Sequence, residues 1–406
     1  MQFLRMILFD QMNIDQPTLE QHCISITKDK GKKICKQALD KRFNERSVWF
    51  IQSLFERYLG DQLSSLKIPS AFGDHFSAIR IMDSTEFKLP ECLSEDFPGF
   101  GGDGTKSCTQ IQFEYDILSG KINHLDIVDA RTPDFVYATR YLNGIQSNEL
   151  IIRDLGYSRI DSFKEIEQKE AYYISRLHPS ITLFERRGKA ILPLSYQTIL
   201  KRLKQSGKEY LDIPLYLGIT KHPVRLTANL LKPEAIKKRL TKKIHRKNTK
   251  NRKYKCLSQM NLFITNIPKQ MLPADQVYGL YKVRWQIELI FKTWKSVLKI
   301  DHVRKMKANR FKCYLISKLL WILMSWDICS AFNEKIRQAT SCFLSVYKSF
   351  SIIKLQAYSL KEVIASQNKS LYQWLSNLYE QLVEYGLKKN RKGRIDLIKL
   401  LSLKRV

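Results

Sequence analysis

The stretch YGLYKVRWQIELIFKTWKS (278–296) decides how the rest of the chain is read. On a continuous helix at about 100° per residue, Tyr281, Arg284, Glu288 and Lys295 fall within about 60° of arc. Lys292 extends the same face. Leu289, Ile290, Trp294, Val297 and Leu298 occupy the other sides and are expected to bury the helix against a core, Trp285 among them. One carboxylate is thus ringed by cations and a phenol on a packed helix. A solvated face of i,i+4 pairs between Arg284, Glu288 and Lys292 is the plainer alternative. Such a face has no need of the tyrosine.

Two other carboxylates occupy settings that suit joint work with Glu288. Asp83 ends the apolar run of IRIMDST, and Asp154 ends that of ELIIRDLGY. An aspartate at the end of a buried strand is costly unless it is paired or holds a metal. Turn capping by Asp83, or an Asx turn at Asp154 before Gly156, would also satisfy each one locally. Three carboxylates suit Mg²⁺, a hard cation that phosphoryl-transfer sites hold with a few acidic oxygens. Two such ions about 4 Å apart activate the attacking hydroxyl and stabilise the leaving oxygen of an in-line displacement. Mn²⁺ would serve the same donors.

Composition points to a polyanionic partner. The 406 residues carry 69 Lys and Arg against 39 Asp and Glu, a net charge of +30, and neutralised phosphates release condensed counterions. An anionic membrane surface or a ribosomal role fits the sign alone. The eight cysteines lack C-x2-C spacing and no histidine stands at ligand distance from two of them. Structural zinc is therefore not expected, and reduced thiols in a cytoplasmic protein are. No signal peptide is expected, since Arg5 and Asp10 break the apolar N-terminus. The apolar run 313–325 contains Lys318 and reads as a buried helix. The glycine-rich loop PGFGGDGTKS (98–107) lacks the pattern of a phosphate cradle.

The local patterns alternate in type along the chain. Residues 1–75 are helix-patterned until IPSAFG breaks them. Strand signals follow at 77–90 and 111–117, the latter joined through Ser119-Gly120 to 121–130. A helix begins near Pro133. Strand 148–154, helix 159–170 and strand 171–177 then complete an α/β layer around a mixed sheet. From 181 to 270, strand-like pieces at 211–218, 224–231 and 261–268 alternate with basic stretches. Residues 232–255 hold twelve Lys or Arg and one acid, Glu234, which suits a DNA-contacting arm or a solvated helix. A helix is expected from Ala274 to Ile300, further helices at 309–345 and 352–388, then a basic tail.

In combination these motifs resemble the DDE-type insertion-sequence transposases of family four. The Y-x2-R-x3-E-x6-K signature stands complete as Tyr281, Arg284, Glu288 and Lys295. Asp83-Ser84-Thr85 and Asp154-Leu155-Gly156-Tyr157 match the segments carrying that family's two aspartates. The likeness spans roughly 35–305. It implies a ribonuclease-H-like mixed-sheet core (76–180 and 270–305) interrupted by a β-rich insertion (181–269). An N-terminal helical DNA-binding region (1–75) and a C-terminal helical region (306–406) would flank that core. It implies catalysis by Asp83, Asp154 and Glu288 with two Mg²⁺ ions, on the double-stranded DNA of element ends and target. DNA phosphates would be bound by Tyr281, Arg284, Lys292, Lys295 and Arg176. The resemblance further implies cut-and-paste transposition by a homodimer, in the cytoplasm and on the nucleoid, without a membrane partner. Two other readings stay open: a catalytically silent DNA-binding derivative, and a host nuclease on the same core.

Overall fold

The structure is a computed structural model that describes every residue except 1, 32, 62–74, 102–104, 242–251, 341, 367–369 and 390–406. The IPSAFG break, the middle of the basic segment 232–255, the tip of the glycine-rich loop and most of the basic tail therefore lie outside the described residues. Four helices come first: α1 (Gln2–Asn13), α2 (Leu19–Lys30), α3 (Lys36–Asp40) and α4 (Glu45–Gly60). The α/β layer follows as β1 (Ala78–Lys88), β2 (Cys108–Asp116), β3 (Ile122–Asp129), α5 (Asp134–Arg140), β4 (Glu149–Arg153), α6 (Ile160–Gln168) and β5 (Tyr172–Arg176).

Then come β6 (Leu183–Arg187), β7 (Ala190–Leu194), α7 (Tyr196–Gln205), β8 (Tyr210–Leu217), β9 (His222–Leu230), α8 (Pro233–Thr241), α9 (Arg252–Leu257) and β10 (Met260–Thr265). The chain continues through α10 (Ala274–Tyr281) and α11 (Trp285–Ser296). It ends its described course in α12 (Ala308–Thr340), α13 (Val346–Leu355), α14 (Ala357–Ala365) and α15 (Leu371–Tyr385).

All ten strands form one sheet in the order β3-β2-β1-β4-β5-β10-β9-β8-β6-β7. The first five are the expected ribonuclease-H-like part: an antiparallel β1-β2-β3 meander with β4 and β5 added parallel to β1. The long crossovers that parallel pairing requires run through β2, β3 and α5 from β1 to β4, and through α6 from β4 to β5. The insertion does not form a separate layer. Its last strand, β10, lies antiparallel to β5 on one side and β9 on the other, so the insertion lengthens the core sheet. All six residues of β10 are buried, as suits a strand in the middle of the sheet.

A hairpin, β6–β7, and helix α7 stand in the insertion where strand-like pieces alone were expected. Ser195 caps α7 by accepting from the Thr198 amide, and Tyr196, Ile199 and Leu203 bury one side of it. Pro193 sits in β7, the terminal strand, where a missing N–H leaves no ladder bond unmade.

The two flanking helical regions are one body rather than two. His22 joins Asp10 (Nδ1–Oδ2 2.9 Å) to Tyr314 (Nε2–Oη 2.8 Å), and Lys361 Nζ donates to Asp10 Oδ1 at 3.2 Å. These buried bonds tie α1 and α2 to α12 and α14. Helix α12 is long and apolar enough to cross a membrane. Here Leu315, Ile316, Leu319, Leu320, Ile322 and Leu323 are instead buried among the other helices and the sheet.

Candidate active site

Strand register brings the two aspartates together. In the parallel β1–β4 pair Met82 stands opposite Arg153, so Asp83 and Asp154 follow as neighbours at the end of the ladder. On the other side of β1, Asp83 pairs with Phe113 of β2. Helix α11 packs on that same face, with Phe291 and Trp294 edge-on to Phe113 at ring distances of 6.1 and 5.0 Å. Ile287, Ile290, Phe291 and Trp294 form its buried i, i+3, i+4, i+7 side. Their docking suspends Glu288, one turn away, over Asp83.

The helix expected to run unbroken from Ala274 to Ile300 is divided. A 3₁₀ turn at Lys282–Arg284 separates α10 from α11. Around this break Arg284 turns inward. Its Nη1 donates to Asp83 Oδ2 at 2.7 Å and its Nη2 to Glu288 Oε1 at 2.7 Å. Its Nε lies 3.9 Å from Asp154 Oδ1. The Tyr281 hydroxyl donates to Asp154 Oδ1 at 3.2 Å. Both residues are buried. The expected phosphate-binding face is therefore split: Tyr281 and Arg284 lie inside the carboxylate cluster, while Lys292 is exposed. Lys295 reaches back to the backbone oxygen of Glu86 at 3.0 Å. Arg176 lies exposed at the end of β5, close enough for its charge to favour ionisation of the Tyr281 phenol.

Burial dominates the electrostatics of the cluster. It pushes the Asp83 carboxyl up to about 6; the Arg284 charge and the Ser84 amide oppose that rise, and the charges of Asp154 and Glu288 add to it. Burial weakens the Arg284 guanidinium, but Asp154, Tyr281, Asp83 and Glu288 together outweigh it and hold the group charged. Burial and the Asp154 charge push the Tyr281 phenol above its ordinary range, so it serves as a donor.

Trp294 is fully buried, as expected. Trp285 and Leu289 are not, at 57% and 40% exposed. Trp285 is the first residue of α11, and at about 100° per residue it lies with Leu289 and the exposed Lys292 on the side of that helix opposite Ile287, Ile290 and Trp294.

A buried polar system under the aspartates was not anticipated. Asp134 Oδ1 accepts from Ser84 Oγ (2.9 Å), Gln110 Nε2 (3.0 Å) and Gln112 Nε2 (2.9 Å), and the Tyr157 hydroxyl donates to Gln112 Oε1 at 2.7 Å. Ser84 follows Asp83, and Tyr157 belongs to the Asp154 turn, so the network joins the segments that carry both aspartates. A Cβ on Gly156 would come within 3.1 Å of Asp134 Oδ2. Deeper in the sheet, Glu114 accepts from Arg80 Nη2 at 2.6 Å and Arg153 Nη2 at 3.3 Å, and Glu149 accepts from Arg80 Nη1 at 2.9 Å. The signal was present in β2: Gln110, Gln112 and Glu114 alternate through a strand buried along its whole length.

The transposase DDE domain family profile matches residues 74–324, which include all three carboxylates. The chain belongs to the DDE transposase family. It is 31% identical to the transposase for insertion sequence element IS231F of Bacillus thuringiensis subsp. israelensis, over 89% of this chain and 79% of that one. Identity to the transposase for insertion sequence element IS1151 of Clostridium perfringens is 28%, over 92% and 83%. A solved structure, the piggyBac transposase synaptic complex with hairpin DNA, superposes with a TM-score of 0.46 at 10% identity, over 98% of this chain and 77% of that one. DDE transposases are DNA-cleaving and strand-transferring enzymes that use divalent metal ions.

Asp83, Asp154 and Glu288 supply only hard oxygen ligands, from three elements, converging on one cation, the Arg284 guanidinium. The donor set fits Mg²⁺ or Mn²⁺. Among the described residues no three His, Cys, Asp or Glu side chains stand close enough to hold an ion as they are now placed. The guanidinium occupies the space between the triad's carboxylates.

Proposed function

We propose that this transposase binds the terminal inverted repeats of its insertion sequence and moves the element by cut-and-paste transposition, with Asp83, Asp154 and Glu288 as its catalytic carboxylates. The observation that carries the reading is the convergence of these three acids, from β1, the end of β4 and α11, on a single cation. They would hold two Mg²⁺ ions, with Mn²⁺ as a substitute. Bound there, the metal supplies Lewis-acid activation of the attacking and leaving oxygens.

The chain's own residues do the rest. The α11 docking on Phe113 fixes Glu288 relative to the aspartates, and the Asp134 network fixes the Asp83 and Asp154 segments relative to one another. The Tyr281 hydroxyl orients Asp154. Lys292, Lys295 and Arg176 bind DNA phosphates beside the triad, and Arg284 joins them when DNA is bound. Water first attacks the phosphodiester at the element end and the 3′-oxygen leaves as a hydroxyl. That 3′-hydroxyl then attacks a target phosphodiester, whose own 3′-oxygen leaves. Paired-end chemistry is carried out by a homodimer on nucleoid DNA.

The test is metal-dependent cleavage and joining of DNA carrying the element's own ends, comparing wild type with Asp83→Ala, Asp154→Ala and Glu288→Ala. Loss of both reactions in all three, with end binding retained, is the expected result. Alanine variants that cut like wild type would remove the site assignment. Wild type that binds the ends and never cuts them would remove the proposed activity.

A further inference from the structure

The position of Arg284 bears on how the site becomes active. Its guanidinium contacts two of the three carboxylates at 2.7 Å and lies 3.9 Å from the third. A divalent ion held by the same oxygens would stand a few ångströms from this fixed positive charge, in a partly desolvated pocket where repulsion is poorly screened. Ion and guanidinium are therefore competitors for one anionic site.

Three further observations indicate that Arg284 can leave. Its Nε is buried without a hydrogen-bond partner, so this end of the group is incompletely held where it stands. Its backbone lies in the 3₁₀ turn between α10 and α11 rather than inside a regular helix. The cluster is also open to solvent on one side, with the Asp154 and Glu288 side chains 40% and 34% exposed while Asp83 is 18% exposed. The exposed Lys292, one turn beyond Glu288, adds positive charge to that open side. A DNA phosphate arriving there would offer the guanidinium a bidentate partner in exchange for the carboxylates.

We infer that Arg284 is an internal counter-cation that closes the triad to metal in the DNA-free enzyme and is exchanged onto a DNA phosphate when an end binds, so that metal and DNA binding are positively coupled through this one side chain. The inference rests on the carboxylate triad being the metal site. Arg284 acts here as a positioning residue, gating the site while the carboxylates carry the chemistry. A transposase so built would hold its metal-loaded, cleavage-competent state in reserve until DNA is in place. Linkage requires the reciprocal effect as well: metal raises affinity for the DNA end by the same factor.

The test measures Mn²⁺ binding to the full chain by the electron paramagnetic resonance signal of free Mn²⁺. Each measurement is made without DNA and with a duplex carrying an end of the element. For wild type, the duplex should raise Mn²⁺ affinity by about tenfold or more, within the usual range of coupling. Arg284→Gln should bind Mn²⁺ about tenfold more tightly than wild type without DNA, and the duplex should add less than about threefold. Arg284→Lys keeps a cation and should remain near wild type in the DNA-free state, which covers the case in which Arg284→Gln does not fold. DNA-free affinity in Arg284→Gln equal to or below that of wild type would overturn the inference, and so would wild-type affinity unmoved by DNA. Asp154→Asn and Glu288→Gln separate the two levels of argument. If they bind Mn²⁺ as wild type does, the triad assignment itself fails. If they lose Mn²⁺ while Arg284→Gln gains none, only the role of Arg284 fails.

Discussion

Replacing Glu114 with glutamine tests whether the strands that lead to Asp83 and Asp154 are held from beneath by a buried charge cluster. Glu114 is wholly buried and accepts from Arg80 through Nε at 3.2 Å and Nη2 at 2.6 Å, and from Arg153 through Nη2 at 3.3 Å. Arg80 lies three residues before Asp83, and Arg153 directly precedes Asp154. Burial pushes the Glu114 carboxyl up, but Arg80, Arg153 and His124 outweigh it and hold the group below the usual carboxylate range. Removing one partner of a buried ionic group costs about 3–5 kcal/mol, because the remaining charge is left uncompensated. Arg80 keeps Glu149 at 2.9 Å and glutamine keeps one acceptor, so Glu114→Gln should fall near the lower end, about 3 kcal/mol. The assay is urea denaturation at neutral pH, with the slope checked for constancy.

The sign of the pH dependence follows from the lowered folded value. The stabilisation is complete above the unfolded carboxyl value and is lost as pH falls through the folded one. The gap between wild type and variant should therefore be full at neutral pH and shrink in strong acid. A loss below about 1 kcal/mol at neutral pH, the size of an ordinary hydrogen bond, would refute the claim that two buried arginines depend on this carboxylate.

Other substitutions probe the packing and the charges. Trp294→Ala should destabilise by about 3–5 kcal/mol in the same denaturation assay and reduce DNA cleavage, since it removes the ring that docks α11 on Phe113. Trp285→Ala, at an exposed position in the same helix, should change stability by less than about 0.5 kcal/mol. Lys318 is buried in α12 and donates to the Lys299 oxygen at 2.8 Å; burial pushes its ammonium down to about 8. The folded state thus disfavours the charged form, and wild-type stability should rise with pH from about 8 toward the unfolded value near 10.5. Lys318→Met should be more stable than wild type by about 1–2 kcal/mol at pH 7, the gain in desolvation less one hydrogen bond, with the gap closing as pH rises. A gap that does not narrow between pH 8 and 10 would exclude burial of the charge as its cause.

The strands β1 to β5 were legible because each combines an apolar run with a turn signal, and the two aspartates because charge at the end of such a run demands a reason. Tyr281, Arg284 and Glu288 were legible as a spaced set, but the direction of Arg284 was not. Spacing on an ideal helix fixes an angle, whereas the 3₁₀ turn at 282–284 depends on how α10 and α11 pack against different parts of the sheet. Trp285 and Leu289 were misplaced because the side of α11 that docks is set by Ile287, Ile290 and Trp294, and these two residues stand opposite it. Residues 183–194 escaped reading as a hairpin because Pro193 and four charged residues dilute the alternation at a sheet edge. That the insertion joins the core sheet was out of reach, since pairing between Phe263 and Arg176 leaves no local trace in either segment.

That pairing also governs the order in which the molecule can assemble. Strand β10 sits between β5 and β9, yet it is synthesised after the rest of the insertion, and α11 follows it. Loop closure over such separations is slow and is compensated only once the distant partners meet. Until β10 arrives, β5 presents an open edge that other chains could pair with. Glu288 joins the aspartates later still. Arg284 and Glu288 both follow β10 in the chain, so the third carboxylate and the cation that bridges it to Asp83 reach the sheet together, in one late step.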